Sequence, residues 1–148
     1  MDIERARFNM IEQQIRPWEV LDTQVLELLA IVRREEFVPA AYRALAFTDT
    51  EIPLREAGAR GQVMLAPKIE ARLLQDAAVR RHEKVLEIGA GSAQLKVGGR
   101  LVGIVGEEPM MRATIVQRTG EASFATTQPW DTVAPRLLHF PEPSRFRF

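Results

Sequence analysis

The sequence predicts an α/β or α+β fold in which N-terminal helices precede a small β-sheet. In the first half of the chain, apolar residues recur at helical spacing, whereas from Lys84 onward they form short runs bounded by glycine. The 148 residues suit a single domain. We expect a helical part over 1–80, a sheet over 81–128 and a proline-rich, extended tail over 129–148.

Composition excludes several classes of protein. The 20 basic and 20 acidic residues leave no net charge, which argues against nucleic acid or a membrane surface as a partner held by a basic field. The absence of cysteine excludes disulfides and cysteine-based metal sites, and no metal site is expected. No window approaches the roughly 20 apolar residues that span a bilayer, and no signal peptide is evident. We therefore expect a soluble cytoplasmic protein.

Three helical segments follow from local signals. The first covers Glu4 to Ile15 and is stopped by Pro17. Asp22 suits the N-cap of a second helix, and Arg33-Arg34 suit its C-terminal end. Pro67 suits the first turn of a third helix.

Between the second and third helices we expect a short helical turn and then a loop. The turn follows Phe37-Val38-Pro39 and ends near Ala44, and the loop covers Thr48 to Gly61.

The sheet is predicted from short apolar runs. Val85 to Ile88 is typical of a buried strand that enters a glycine turn, and Leu101 to Val105 predicts a second buried strand. Two further strands, Ala113 to Val116 and Ala122 to Thr127, are expected to form a hairpin around Thr119-Gly120.

The glycine turn after Ile88 is the most informative segment for function. Because glycine has no Cβ, a glycine turn lets the backbone approach a ligand closely, although such a turn can also be purely structural. The dinucleotide pattern G-x-G-x-x-G fails because Gln94 stands at the third glycine position. The segment fits acidic-x-Gly-x-Gly-x-small, with Glu87 leading and Ala93 closing.

This segment resembles the first motif of class I S-adenosylmethionine-dependent methyltransferases, and its surroundings resemble the protein-L-isoaspartate O-methyltransferases. The matching segments occur in the family's order: Glu36-Phe37-Val38-Pro39, Phe47-Thr48-Asp49 with Pro53-Leu54, Gly61-Gln62 with Pro67, Val85 to Ser92, and Leu95 to Val102.

The resemblance implies an α/β fold with a reduced Rossmann-like methyltransferase sheet and a C-terminal antiparallel hairpin. It implies S-adenosylmethionine as the cofactor and a protein or peptide carboxylate of the isoaspartyl type as the substrate. The implied cofactor-binding residues are Glu87, Gly89, Ala90, Gly91 and Ser92.

The chain departs from the family pattern in two places. Val63, Met64 and Leu65 replace a Thr-Ile-Ser segment whose hydroxyls belong to the substrate site, so the catalytic residues are unassigned. Only Ala93-Gln94 separate the glycine motif from the late strand motif, so the central nucleotide-binding segment is shortened. A segment missing from the given sequence would give the same shortening.

Other residues favour structural roles. We expect Glu107-Glu108 to end a hairpin rather than to bind a ribose, and we expect His82 to lie in a solvated turn. Local packing is expected for His139, buried anchoring for Trp18 and Trp130, and an edge strand for Arg145 to Phe148.

Two functional hypotheses remain from the sequence. The first is methyl transfer from S-adenosylmethionine to a protein carboxylate. The second is a non-catalytic remnant that binds a partner or associates with itself through open strand edges. A nicotinamide-dinucleotide protein is disfavoured by Gln94.

Overall fold

The structure is a computed structural model that describes residues 2–54, 63–80, 83 and 96–135. Helices occupy its N-terminal part and a three-stranded antiparallel sheet its C-terminal part. This order agrees with the predicted reduced α/β methyltransferase fold and with its C-terminal antiparallel hairpin.

Helix α1 spans Ile3–Met10 and begins where the Asp2 side chain accepts a hydrogen bond from the Arg5 backbone N–H at 3.1 Å. It continues as a π-helical stretch, Ile11–Ile15, and a 3₁₀ turn, Arg16–Trp18. The predicted helix is therefore confirmed, with a wider final turn before Pro17 than an α-helix has.

Helix α2 spans Thr23–Ile31 and has the predicted N-cap. The carboxylate of Asp22 accepts hydrogen bonds from the backbone N–H groups of Gln24 at 2.8 Å and Val25 at 3.2 Å. These bonds satisfy donors that an uncapped helix would leave free. Two 3₁₀ turns follow, Arg34–Glu36 and Ala40–Leu45, and the second is the predicted short turn.

Helix α3 spans Pro67–Ala77 with Pro67 in its first turn, as predicted, and ends at Ala78 in a left-handed conformation. Strand β1 (Ile52–Pro53) lies within the predicted loop and pairs with strand β2 (Val63–Met64), which follows that loop. The core lies between these elements and the first two helices, and Met10, Ile15, Val20 and Ile52 are among its largest fully buried side chains.

The sheet is a meander of β3 (Arg100–Glu107), β4 (Met110–Arg118) and β5 (Phe124–Thr132). Helix α3 packs against β3 and β4. Gly106 lies within β3 at φ 134°, and a Cβ there would lie 2.9 Å from the carbonyl oxygen of Met110, so this position requires glycine.

The sheet corrects two predicted details. The Leu101 to Val105 run is not buried: Leu101 is 44% and Val105 58% exposed, because β3 is the first strand of the meander and only one face of the sheet meets α3. Strand β5 extends past Pro129, and a register shift places Gln128 and Pro129 together opposite Thr114. Proline is tolerated there because β5 is the last strand of this sheet and the ladder is irregular at that point.

Some predicted features lie outside the described residues: the Val85 to Ile88 strand, His82, His139, the Arg145 to Phe148 segment and most of the proline-rich tail. Over the part of the chain that is described, none of the helices has the length and apolar character that crossing a membrane requires.

Candidate functional site

The described part of the candidate site is built around the short β1–β2 ribbon. Ile52 pairs with Met64 and Pro53 with Val63. Ile52 is fully buried and Met64 packs against the core, which anchors the ribbon on the helices. Val63 and Met64 form β2, and Leu65 directly follows it. All three residues are half-buried.

The Arg34 guanidinium binds the segments of chain on either side of this ribbon. Its Nε donates to the Ala46 carbonyl oxygen at 3.0 Å, its Nη2 donates to the Leu65 carbonyl oxygen, and its Nη1 pairs with the Glu70 carboxylate. The three partners belong to the chain before β1, the chain after β2 and the first turns of α3. Because Arg34 is only 8% exposed, these bonds form in a poorly solvated site.

Sequence reasoning missed this role of Arg34. The Arg33-Arg34 pair was assigned to the C-terminal end of α2, but α2 ends at Ile31 and Arg34 begins the next 3₁₀ turn. Its partners lie 12 to 36 residues away along the chain, so no local pattern points to them.

A second charged group lies at the start of α3. The Lys68 ammonium is 2.6 Å from a carboxylate oxygen of Asp49 and 4.2 Å from the centre of the Trp18 ring. The Lys68 side chain is 21% and the Asp49 side chain 32% exposed, so both groups are partly exposed to solvent. Helix α3 begins three residues after β2, which places this ammonium in the same stretch of chain as Val63 and Leu65.

Glu51 adds a carboxyl with an altered affinity for protons. It immediately precedes Ile52 of β1, and partial burial raises its pKa above the ordinary value. The site therefore combines a buried guanidinium that holds backbone, an accessible ammonium–carboxylate pair and a carboxyl that protonates more readily than usual. Val63 and Leu65 provide aliphatic surface and no hydroxyl.

The predicted cofactor-binding residues Glu87, Gly89, Ala90, Gly91 and Ser92 lie outside the described residues. Their assignment therefore stays a prediction from the sequence. For the residues that are described, no group of three or more histidine or acidic side chains is arranged to hold a metal ion.

The remaining candidates have structural surroundings. Glu107 and Glu108 lie at the β3–β4 turn and are exposed, which confirms the predicted hairpin end. Trp130 is half-buried and its indole N–H donates to Asp76 at 2.7 Å. The prediction of a buried anchor was wrong for Trp18, which is 40% exposed, because its ring covers the Lys68 ammonium at the surface.

Comparison with known proteins gives one family. The sequence model described as "Protein-L-isoaspartate(D-aspartate) O-methyltransferase (PCMT)" matches residues 5–94. The matched range includes the β1–β2 ribbon, α3 and the glycine motif.

Individual relatives agree with this match. The chain is 34% identical to "Protein-L-isoaspartate O-methyltransferase 2" of Anaeromyxobacter sp. (strain Fw109-5) over 126 residues, which covers 82% of this chain and 50% of the relative. It is 38% identical to "Protein-L-isoaspartate O-methyltransferase" of Herpetosiphon aurantiacus over 89 residues, covering 60% of this chain and 38% of the relative. For the protein of the same name from Aeropyrum pernix, identity is 41% over 87 residues, covering 59% and 32%. The chain thus spans half or less of the length of these relatives.

Proposed function

This chain belongs to the protein-L-isoaspartate(D-aspartate) O-methyltransferase family, and on that premise we propose that it binds S-adenosylmethionine and transfers a methyl group to a carboxylate of a protein or peptide. The observation that supports the proposal most strongly is the extent of the family match. Residues 5–94 include both the glycine motif and the ribbon. By resemblance, the ribbon corresponds to part of the family's substrate site.

In this proposal the glycine motif holds the cofactor. Glu87 and the Gly89–Gly91 turn bind its methionine end, and Ala90 and Ser92 complete the turn. When bound, the cofactor supplies an electrophilic methyl group. Transfer of a methyl group to a carboxylate depends mainly on positioning, so the work of the protein is to orient the acceptor oxygen.

The described residues support the acceptor side of the proposal. Arg34 holds the Leu65 carbonyl and thereby fixes the end of β2. Lys68 supplies an accessible ammonium close along the chain to positions 63 and 65, where the family has hydroxyl donors and this chain has none. A carboxylate needs such donors, because aliphatic surface removes water from the anion without replacing its hydrogen bonds.

A second candidate function is supported by the aliphatic side chains themselves. Val63, Met64 and Leu65 are half-buried, and their side chains offer a ligand no hydrogen-bond donor. A chain that had lost catalysis and serves as a binding or self-association module would tolerate these residues. This alternative predicts that S-adenosylmethionine does not bind.

Calorimetric titration with S-adenosylmethionine separates the two functions. We expect micromolar affinity that is lost in Gly89→Val. In the proposed site the protein backbone at Gly89 contacts the cofactor, and a valine side chain would occupy that space. The matched control is Gly120→Val in the β4–β5 turn, where a Cβ makes only ordinary contact with Ser123 at 3.5 Å. The absence of heat at millimolar cofactor would favour the non-catalytic alternative.

Substrate chemistry is tested with a radiolabelled methyl group. We expect label in a peptide that contains isoaspartate and none in the same peptide with ordinary aspartate. Glu87→Ala should reduce the transfer rate while changing stability by only about 1 kcal/mol, as an average substitution does. Binding of the cofactor without transfer to either peptide would contradict the proposed acceptor and leave the cofactor assignment standing.

A further inference from the structure

The Lys68–Asp49 ion pair closes one end of the β1–β2 ribbon. Asp49 lies three residues before β1, and Lys68 lies three residues after Leu65. Both flank the end at which Ile52 pairs with Met64, and their charged groups are 2.6 Å apart. The pair is therefore at the end of the ribbon that Leu65 leaves, next to the segment in which aliphatic side chains replace the family's hydroxyls.

The Lys68 ammonium has a second contact besides Asp49. The centre of the Trp18 ring lies 4.2 Å from it, and the face of an aromatic ring attracts a cation. Trp18 is itself held by α3, because its carbonyl oxygen accepts a hydrogen bond from the Arg72 side chain at 2.6 Å. An ammonium has three N–H donors. The ring therefore keeps Lys68 in place, with donors to offer, when its carboxylate partner changes.

Asp49 follows a stretch of backbone that other elements hold. Arg34 donates to the Ala46 carbonyl oxygen at 3.0 Å. Gln14 donates to the Phe47 carbonyl oxygen, also at 3.0 Å, and both accepting residues are buried. The Asp49 side chain, by contrast, is 32% exposed. It can therefore turn from the ammonium into solvent by rotation of its own bonds, without movement of the backbone.

The proposed substrate offers the same chemical group as Asp49. In isoaspartate the peptide chain continues through the side-chain carbonyl, so the main-chain carboxylate is free and anionic. Such a carboxylate accepts charge-assisted hydrogen bonds from an ammonium as an aspartate side chain does. An ion pair with access to water contributes little net stability, so exchange of one carboxylate for another costs little. The Lys68–Asp49 contact therefore marks a position in which this chain binds a carboxylate.

We propose that Lys68 is the specificity-determining residue of the acceptor site, and that its ammonium binds the carboxylate of the substrate peptide in place of Asp49. The inference rests on the proposed function and names the group that orients the acceptor. Without substrate, Asp49 pairs with the ammonium; with substrate, Asp49 turns into solvent. A methyl ester carries no charge, so the ammonium pairs with Asp49 again once the acceptor is methylated. Lys68 thus favours binding of the substrate over binding of the product.

Calorimetric titration with an isoaspartyl peptide, in the absence of cofactor, tests this exchange. Lys68→Met keeps an unbranched side chain against Trp18 but removes the donors. The dissociation constant should then rise about tenfold, the value of a hydrogen bond between charged groups. Asp49→Asn removes the competing charge and should lower the dissociation constant about threefold, the scale of an ion pair with access to water.

A double variant and a matched control separate competition from other effects. If Asp49 acts on the substrate through Lys68, Asp49→Asn should leave the dissociation constant unchanged in the Lys68→Met background. The control is Asp131→Asn, which removes the same charge from an ion pair with Arg112 whose side chains are 64% and 48% exposed. It should not alter peptide binding. An equal gain in affinity from Asp131→Asn would assign the effect of Asp49 to net charge and overturn the inference.

Asp49→Asn decides the question if Lys68→Met unfolds. It should not improve binding of a peptide with a carboxamide in place of the isoaspartyl carboxylate, and an equal gain for both peptides would overturn the inference. So would weaker binding of the isoaspartyl peptide in Asp49→Asn, an unchanged dissociation constant in Lys68→Met, or a wild-type chain that does not bind this peptide at millimolar concentration.

The methyl-transfer assay separates this inference from the proposed function. We expect KM for the isoaspartyl peptide to change in the same ratios as the dissociation constant. Transfer with an unchanged KM in Lys68→Met would overturn the role of Lys68 and leave the function standing. Peptide binding with the expected pattern and no transfer would contradict the function and leave the carboxylate site standing.

Discussion

Arg34 binds the carbonyl oxygen of Leu65, although 31 residues separate them along the chain. The same guanidinium pairs with Glu70 and donates to the Ala46 carbonyl. One buried side chain thus connects the three segments that surround the β1–β2 ribbon. The position of Leu65 is set by a residue that need not itself contact a substrate.

Arg34→Lys should destabilise the protein by about 2 kcal/mol. Lysine keeps the charge but cannot reproduce the planar, multiple hydrogen bonding of a guanidinium, so at least one carbonyl loses its donor. Urea denaturation measures the change. Arg33→Lys is the matched control, since the Arg33 side chain is 68% exposed and forms an ion pair with Glu36, whose side chain is also exposed. A loss of stability equal in the two variants would contradict the assigned role of Arg34.

Glu35→Gln should cost about 3 kcal/mol at neutral pH, as loss of one partner of a buried ion pair does. Arg7 donates to both carboxylate oxygens of Glu35, at 2.7 and 2.9 Å, and the side chains are 6% and 10% exposed. The control is Glu4→Gln. Glu4 binds the same guanidinium at 3.0 Å but is 80% exposed, so its loss should cost less than about 1 kcal/mol.

The pH dependence of this pair has a defined sign. Burial alone would raise the pKa of Glu35, but hydrogen bonds from its own backbone and from Arg7, with the charges of Arg7 and Arg33, outweigh burial and lower the pKa below 4.5. The stabilisation is therefore present above pH 4.5 and is lost as pH falls through the lowered pKa. The stability difference between wild type and Glu35→Gln should shrink as the pH falls from 4.5 through the lowered pKa of Glu35. A difference that stays constant over this pH range would contradict this account.

Glu51→Gln should have the opposite effect. Partial burial raises the pKa of Glu51 above 4.5, so the ionised carboxylate is disfavoured in the folded chain at neutral pH. Replacement should stabilise the protein above the raised pKa, within about 0.5 kcal/mol for so accessible a residue, and the gain should disappear below pH 4.5. Thermal denaturation at the two pH values tests this, with Glu27→Gln on the exposed face of α2 as the comparison. A gain that persists at low pH would argue against a titration effect.

Restoring hydroxyls at the ribbon tests the proposed acceptor. In Val63→Thr with Leu65→Ser, two new donors are available to a substrate carboxylate, and we expect KM for an isoaspartyl peptide to fall about tenfold, the value of one hydrogen bond to a charged group. The control is Leu65→Ala with Val63 retained, because threonine has nearly the volume of valine and alanine nearly that of serine, so this variant makes similar space without donors and should not lower KM. An equal effect of this variant would assign the change to space alone.

Local signals in the sequence predicted most of the helices. Asp22 and Pro67 mark helix starts through interactions within a few residues, and both were identified correctly. The ribbon of β1 and β2 was missed because each strand has only two residues, which is too short for a periodic pattern. The end of β5 was missed because Pro129 normally argues against a strand, and only its place in an irregular edge ladder makes it acceptable.

The candidate site was predictable in part. Family resemblance identified Val63, Met64 and Leu65 as the segment that replaces the family's Thr-Ile-Ser, and this assignment stays a prediction. The roles of Arg34 and Lys68 depend on partners that are distant in sequence, and hydrophobic periodicity contains no information about such pairs. For Glu87 to Ser92, the sequence is the only basis for the assignment.

The contacts of the two tryptophans have a practical use. The ring of Trp18 lies against Lys68 of α3, and its carbonyl accepts from Arg72 of the same helix. The indole of Trp130 donates to Asp76, also in α3. Both of the chain's tryptophans therefore touch this helix, one from the helical part and one from the sheet. Intrinsic fluorescence should report detachment of α3 from either side without an added label, and single replacements by phenylalanine would assign each component of the emission.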